Sequence, residues 1–294
     1  MSNKKIKLII ILGPTASGKS SLGISLAKKN NGIIISADSR QVYKGMDIGT
    51  AKVTKKERKI VPHFLLDVVS PKKYYSAAQF KKEALKVIDK YSSQKNIFVV
   101  GGSPFYIDSL ISKKETFNIP PDYDLRKKLE KLSPEKLFKR LKKLNPKKAK
   151  KIDKNNPRRL IRAIEVAKAK PKSKKNKTPE FKVLKIGLSR PREKLYQKID
   201  ERVDKRFKQG MVKEVEDLRK KGLSWKRLNS FGLEYRFVAK YLKGQLKKEE
   251  MVQKLKYAIH DFVRRQMTWF RKDKSIHWIK NQKQAESLIN KFLK

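Results

Sequence analysis

The sequence predicts an α/β fold with a parallel sheet core and an all-helical insertion. Short β-branched apolar runs alternate with helical patterns, which is the signature of strands joined through crossover helices. A glycine-rich turn separates the first run from the first helix. A stretch from Pro120 to about Lys170 then carries charged helical patterns and no strand-like run.

In chain order, IKLIIIL at 6–12 is the first strand, followed by the loop GPTASGKS and the helix SSLGISLAKK. GIIIS at 32–36, FLLDVV at 64–69 and NIFVV at 96–100 are further strands, and SAAQFKKEALKVIDKY at 76–91 is an intervening helix. The helices DLRKKLEKL, SPEKLFKRLKKLN and NPRRLIRAIEVAKAK follow, two of them opened by Ser-Pro and Asn-Pro starts. PKSKKNKTPE at 171–180 is polar, basic and bounded by prolines, so it reads as a mobile loop. FKVLKIGLS restores a strand, 191–271 is strongly helical with a C-cap at Gly210, and SIHWI at 275–279 is a last strand. These assignments divide the chain into a first core segment at 1–117, a helical insertion at 118–180 and a second, mostly helical core segment at 181–294.

Composition narrows the partners. With 77 Lys+Arg against 28 Asp+Glu, the formal net charge is +49. Such a field favours a polyanion, which gains affinity by releasing condensed counterions, and nucleic acid leads among polyanions. The lysine excess is spread along the whole chain, as an A/T-biased genome would also produce. There is no cysteine, which excludes a disulfide framework and a thiolate metal site and fits a reducing compartment. The start MSNKKIKLIIILGP reads as a buried strand and not as a signal peptide, because its apolar run ends at a glycine motif. No run approaches the roughly 18 apolar residues of a membrane helix, so the expectation is a cytoplasmic protein without membrane contact. The three histidines, His63, His260 and His277, have no metal spacing. Nothing in the sequence demands more than a monomer.

Gly13, Gly18, Lys19 and Ser20 match the phosphate-loop pattern G-x-x-x-x-G-K-[ST], with a strand before and a helix after. The core is therefore P-loop NTPase-like. The segment Gly13, Pro14, Thr15, Ala16, Ser17, Gly18, Lys19 and Ser20 is expected to hold phosphate: its amides face the anion, Lys19 adds charge, and Ser20 can hold Mg2+. Asp38, in SADSRQVYKGMDIGTAK at 36–52, falls just past the second strand, at the sheet edge where ligands sit. It can order Mg2+ through water, accept a proton from an acceptor substrate, or cap a helix. The residues alone leave the reaction open. The phosphate loop by itself favours a kinase, weakened by the lack of an adenine clamp and an arginine-rich lid; a group transferase acting on RNA enters through the family resemblance given below. A third reading is a non-catalytic RNA-binding protein anchored by its phosphate loop.

GPTASGKS, SADSRQVYKGMDIGTAK, PHFLLDVVSPKKYYSAAQF, VVGGSPFYI, NPRRLIRAIEV and RRQMTWFR together resemble the tRNA dimethylallyltransferase (isopentenyl-tRNA transferase) family, over about residues 7–279. The resemblance implies transfer of a dimethylallyl group from dimethylallyl diphosphate to N6 of the adenosine 3′ of the anticodon, in tRNAs reading codons that begin with U. The loop would then cradle the diphosphate of the prenyl donor, with Mg2+ as cofactor and Thr15 in contact with the donor. Asp38 would be the catalytic residue that orients N6 and takes its proton, and Asp38, Ser39, Arg40 and Gln41 would lie against the tRNA. Where the family reads GGTG, this chain has Gly101-Gly102-Ser103-Pro104, so the threonine role passes to the hydroxyl of Ser103 in catalysis and tRNA contact. Pro104 falls at a helix N1 position, where proline is tolerated.

In the insertion, the resemblance puts Arg126 and the run Arg158, Arg159, Leu160, Ile161 and Arg162 against tRNA. Their i, i+4 spacing also sets Arg158 and Arg162 on one helical face. Tyr43, Phe105 and Tyr106 are wall or stacking candidates for the extracted base, though aromatics near sheet edges mostly pack. Tyr257, Phe262 and Trp269 read as chiefly structural, and Arg264 and Arg265 as RNA-phosphate contacts. PHFL has one histidine where the family often has two, and GLEYR at 232–236 departs from the family pattern and receives no catalytic residue.

Overall fold

The computed structural model describes residues 5–112, 119, 121–169, 179–188 and 190–294. The chain divides into two compact units, Met1–Ile111 with Pro179–Lys294, and Ser112–Thr178. The insertion expected at 118–180 differs from the second unit by a few residues at either end. Most of the 171–180 loop and Ser189, the last residue of the FKVLKIGLS strand, lie outside the described residues.

The larger unit is built on a six-stranded sheet. Its strands are β1 (Ile6–Leu12), β2 (Gly32–Ser36), β3 (His63–Phe64), β4 (Asn96–Gly101), β5 (Phe181–Leu188) and β6 (Ile276–Ile279). The spatial order is β3-β2-β4-β1-β5-β6, and every pairing is parallel. Helices α1 (Lys19–Lys29), α2 (Lys55–Ile60), α3 (Ala77–Tyr91) and α4 (Pro104–Ile111) belong to the first half. The insertion unit carries α5 (Tyr123–Leu129), α6 (Pro134–Leu144), α7 (Pro146–Ala149) and α8 (Pro157–Ala169). The second half of the core continues with α9 (Arg192–Lys208), α10 (Met211–Lys220), α11 (Trp225–Ser230), α12 (Leu233–Leu242), α13 (Lys248–Phe270) and α14 (Gln282–Leu293).

Both faces of the sheet are covered, which is why β1 is apolar without alternation. Leu8, Ile10 and Leu12 pack with Phe80, Ala84, Ile107 and Leu110 of α3 and α4. Ile9 and Ile11 face the other way, against Leu22 and Leu26 of α1 and Ala285 and Ile289 of α14. A third cluster joins Val42, Tyr43 and Met46 from the segment after β2 to Met211, Val215, Leu228, Phe231 and Tyr235 of α10 to α12. The insertion unit has its own core of Leu129, Leu137, Leu141, Leu160, Ile161 and Ile164. Gly210, at φ 96°, follows the last turn of α9 in the left-handed conformation that favours glycine.

One strand is shorter than its composition predicts. The apolar run at 64–69 pairs with β2 only at His63 and Phe64. Leu65 and Asp67 adopt φ of 62° and 56°, so the backbone turns away, and only Val69 returns to bridge Tyr43. Apolar composition marks burial here without marking an extended backbone.

That turn supports a charged hub inside the long second motif. Lys52 has a side chain 1% exposed, and its Nζ lies 2.6 Å from Asp47 Oδ1, 2.6 Å from Asp67 Oδ1 and 2.8 Å from the Tyr43 carbonyl. Arg58 pairs with the second oxygen of Asp67 at 3.0 Å. Removing one member of a buried pair leaves the other charge uncompensated, but Asp47 is largely exposed and can rehydrate. Lys52→Met should therefore lower stability by about 2 kcal/mol, below the loss for a fully buried pair. Urea unfolding followed by circular dichroism checks the shift in midpoint.

Candidate functional site

Gly13 to Ser20 connects β1 to α1 at the carboxyl edge of the sheet. Ala16 at φ 62° and Gly18 at φ 93° bend the loop through left-handed backbone, a geometry that turns successive amides inward to form an anion-binding concavity. Gly18 is also the N-cap of α1 and has no side-chain cap, so the first helical amides stay available to a ligand. Among the described residues the buried Ser17 hydroxyl has no hydrogen-bond partner. Lys19 Nζ donates to the Pro14 carbonyl at 3.2 Å. Burial of its ammonium pushes the Lys19 pKa down to about 8; Asp38 opposes the fall and Arg202 adds to it.

Asp38 stands two residues beyond β2. Its Oδ1 accepts from the backbone N–H groups of Arg40, at 2.8 Å, and Gln41, at 3.4 Å, closing a tight turn that fixes the carboxylate. Among the described residues Oδ2 accepts no hydrogen bond. Ser103 brackets Asp38 from both sides: its N–H donates to the Ala37 carbonyl at 3.3 Å, and its Oγ accepts from the Ser39 N–H at 3.1 Å. Gly101 permits this approach, because a Cβ there would stand 2.2 Å from the Ala37 carbonyl oxygen. Pro104 opens α4 as expected.

Gln41 has another use. Its Oε1 accepts from Ser36 Oγ at 3.1 Å and its Nε2 donates to the carbonyls of Thr50 and Ala51 at 3.3 and 3.2 Å, so its side chain braces the loop from within. Glu214 of α10 braces the same loop from outside. It accepts from the N–H groups of Asp47, Ile48 and Gly49 and from the Tyr235 hydroxyl, all within 3.0 Å. GLEYR thus has a structural role, in which Tyr235 fixes Glu214 and Glu234 pairs with the buried Arg206 at 2.6 Å.

Two arginines that local spacing did not single out complete the phosphate site. Arg190 Nε donates to the Ser17 carbonyl at 2.8 Å. Arg202 of α9 donates through Nη2 to Thr15 Oγ1, while among the described residues its buried Nε has no partner. Burial and the neighbouring Arg206 push Arg202 down to about 9, still a cation at neutral pH. Among the described residues no three His, Asp or Glu side chains converge as a metal site. The Ser20 hydroxyl, on the first turn of α1, would offer Mg2+ one oxygen ligand, the donor type this cation prefers.

In the insertion unit, the nearly inaccessible Glu165 accepts two bonds from Arg126, at 2.6 and 2.7 Å, one from Arg162 at 3.1 Å and one from the Asp122 N–H at 3.0 Å. These bonds hold the Glu165 carboxyl below its ordinary range against the opposing effect of burial. Arg162 also donates to the Ile119 carbonyl at 2.9 Å. Arg158 and Arg159 are exposed. Leu160 and Ile161, expected against tRNA, instead bury their side chains in the insertion core, because one helical turn cannot present five consecutive residues to one side.

Tyr43 and Tyr106 are core residues, whereas Phe105 is 66% exposed on the first turn of α4. Tyr257, Phe262 and Trp269 correct the sequence reading. They are exposed, because the buried stripe of α13 runs through Met251, Leu255, Ile259, Val263 and Phe270. Gln266 shares that stripe.

A phosphate-gripping loop at the carboxyl edge of a parallel sheet, with a fixed carboxylate facing its lysine, defines a P-loop-type group-transfer enzyme. The chain belongs to the IPP transferase family, whose sequence model matches residues 41–273. It is 43% identical to the tRNA dimethylallyltransferase of Acetivibrio thermocellus, covering 98% of this chain and 96% of that protein. It is also similar to a crystal structure of tRNA delta(2)-isopentenylpyrophosphate transferase from Staphylococcus epidermidis, with 36% identity, TM-score 0.71, and 98% and 99% of the two chains covered. A eukaryotic dimethylallyltransferase captured acting on tRNA superposes with TM-score 0.78 at 25% identity, over 94% of this chain and 74% of that one.

The lowered Lys19 pKa carries a consequence for ligand binding. An anion in the loop restores the cationic form, so pyrophosphate binding should take up a proton near pH 8 and weaken as pH rises from 7 to 9. Titration calorimetry in buffers of different ionisation enthalpy measures that proton. Lys19→Met should reduce the proton uptake and flatten the pH dependence relative to wild type.

Proposed function

We propose that the protein transfers a dimethylallyl group from dimethylallyl diphosphate to N6 of the adenosine 3′ of the anticodon, A37, in tRNAs reading codons that begin with U, releasing diphosphate. The observation that carries this reading is the position of Asp38, whose charge reaches Lys19 and Arg202 while one carboxylate oxygen remains open. A kinase and a prenyltransferase both need the phosphate grip. Membership in the IPP transferase family favours the second.

The chemistry follows from the charges. Breaking the allylic C–O bond leaves both electrons on the diphosphate, and Lys19, Arg190, Arg202 and the loop amides neutralise that developing charge. The adenine N6 supplies the pair for the new C–N bond and becomes acidic as it does so. Asp38 Oδ2 accepts its hydrogen bond, orients the amine and takes the proton. Mg2+ held at Ser20 supplies further neutralisation of the leaving group when bound. Ser39 and Arg40 stand beside the acceptor position, and Arg126, Arg158, Arg159 and Arg162 present charge to the tRNA backbone. No described helix is long and apolar enough to cross a membrane. We take the working form to be a monomer in the cytoplasm, where its tRNA substrate resides.

Incubation with unmodified tRNA and labelled dimethylallyl diphosphate should label A37. ATP turnover without tRNA labelling would overturn the assignment. Asp38→Ala should lower kcat by the order of 10² or more while changing tRNA affinity little, as expected for a positioned base. Arg158→Ala with Arg159→Ala should weaken tRNA binding and flatten its dependence on salt, by roughly 0.7 to 0.9 in log–log slope per lost phosphate contact. Filter binding across a potassium chloride series reads that slope.

A further inference from the structure

Gln266 is a polar residue at a core position. The buried stripe of α13 passes through Ile259, Val263, Gln266 and Phe270, and Gln266 is only 6% exposed. An apolar side chain would satisfy packing at that phase. The amide instead joins two loops from opposite parts of the site. Its Oε1 accepts from the Thr15 N–H at 3.0 Å, and its Nε2 donates to the Gly102 carbonyl at 2.7 Å.

Those two loops serve different ends. Thr15 belongs to the phosphate grip and receives Arg202 at its hydroxyl. Gly102 precedes Ser103, which binds the peptides on both sides of Asp38. A continuous path of hydrogen bonds and backbone therefore runs from Thr15 through Gln266 to Gly102, Ser103 and Asp38. The group in the middle of it must accept at one end and donate at the other, which the uncharged amide of Gln266 does.

We propose that Gln266 is a positioning residue that sets the spacing between the grip on the leaving group and the carboxylate that takes the N6 proton. Group transfer between two bound partners is sensitive to such spacing, and a misplacement of about 1 Å can lower the rate by the order of 10². Gln266 touches neither reacting atom, so its loss acts on turnover and leaves each binding surface in place. The inference rests on the transferase reading above.

Three proteins are compared: wild type, Gln266→Leu and Gln266→Glu. Gln266→Leu keeps the apolar packing and removes both bonds; its kcat should fall by roughly 10- to 100-fold, with KM for dimethylallyl diphosphate and for tRNA held within about threefold. In Gln266→Glu the protonated acid can accept and donate as the amide does, whereas the carboxylate meets the Gly102 carbonyl with a second acceptor. Its kcat relative to wild type should therefore rise as pH falls from 8 to 6, at temperatures well below the melting point of each protein. A Gln266→Leu kcat within threefold of wild type overturns the proposal. So does a ratio of Gln266→Glu to wild type that stays flat with pH, which remains decisive if Gln266→Leu fails to fold. A wild-type protein that transfers no dimethylallyl group overturns the transferase reading itself, a result distinct from either of these.

Discussion

Desolvated positive charge without an ion-pair partner among the described residues is the constraint around which the catalytic unit is arranged. Several buried charges elsewhere in the molecule have acidic or basic partners. Lys52 has Asp47 and Asp67, Glu165 has two arginines and a backbone amide, and Arg206 has Glu234. At the phosphate loop the pattern stops. Lys19 and Arg202 are both held below their ordinary pKa ranges by burial, and among the described residues neither forms an ion pair, although Asp38 tempers the excess. A buried cation left in this condition is unfavourable until an anion arrives. On the proposed reading, binding of a diphosphate relieves that cost. A fully paired site would give up its attraction for the leaving group, since the charges would already be satisfied when the reaction began.

Holding such a site together requires bracing that itself adds little charge near the ligand. The loop carrying Asp38 is fixed by the Gln41 amide, by Ser103, and by Glu214 on its outer side, where three consecutive backbone amides and the Tyr235 hydroxyl meet one carboxylate. The bracing nearest Asp38 in the chain, at Ser39 and Gln41, is through neutral hydroxyl and amide groups, whereas Glu214 meets Asp47 to Gly49 farther along the loop. This ordering fits the constraint, because an extra acidic group beside the loop would cancel the field on which the leaving group depends.

The parts of this architecture that were legible in the sequence are those governed by short spacing. The strands of the sheet read clearly because both faces are buried, and continuous β-branched runs have few other uses. The phosphate loop and Asp38 were readable because strand, loop and helix follow one another within a few residues. The run at 64–69 misled because left-handed residues at Leu65 and Asp67 break the strand without changing its apolar composition. Arg190, Arg202 and Gln266 were beyond local reasoning: each meets the loop across more than 170 residues of chain. A signal for Gln266 does exist, since an amide on the apolar stripe of a long helix requires a hydrogen-bonding reason. Leu160 and Ile161 show the opposite error, in which a contiguous motif stands for one surface although a helix sends neighbouring side chains to different sides.

The insertion unit shows how an excess of charge can still discriminate. A net charge of +49 draws any polyanion, and the scattered lysines that supply most of it are long, mobile and strongly hydrated. Such groups give affinity that is sensitive to salt and indifferent to shape. Arg126 and Arg162 differ because Glu165 holds both guanidinium groups in place before any ligand arrives. The conformational entropy of ordering them is already lost on folding. On the proposed reading, geometric selection of a tRNA over other polyanions therefore falls chiefly to these held arginines. Glu165 lowers the net charge of the surface while raising its selectivity, a trade that a chain so rich in lysine can sustain.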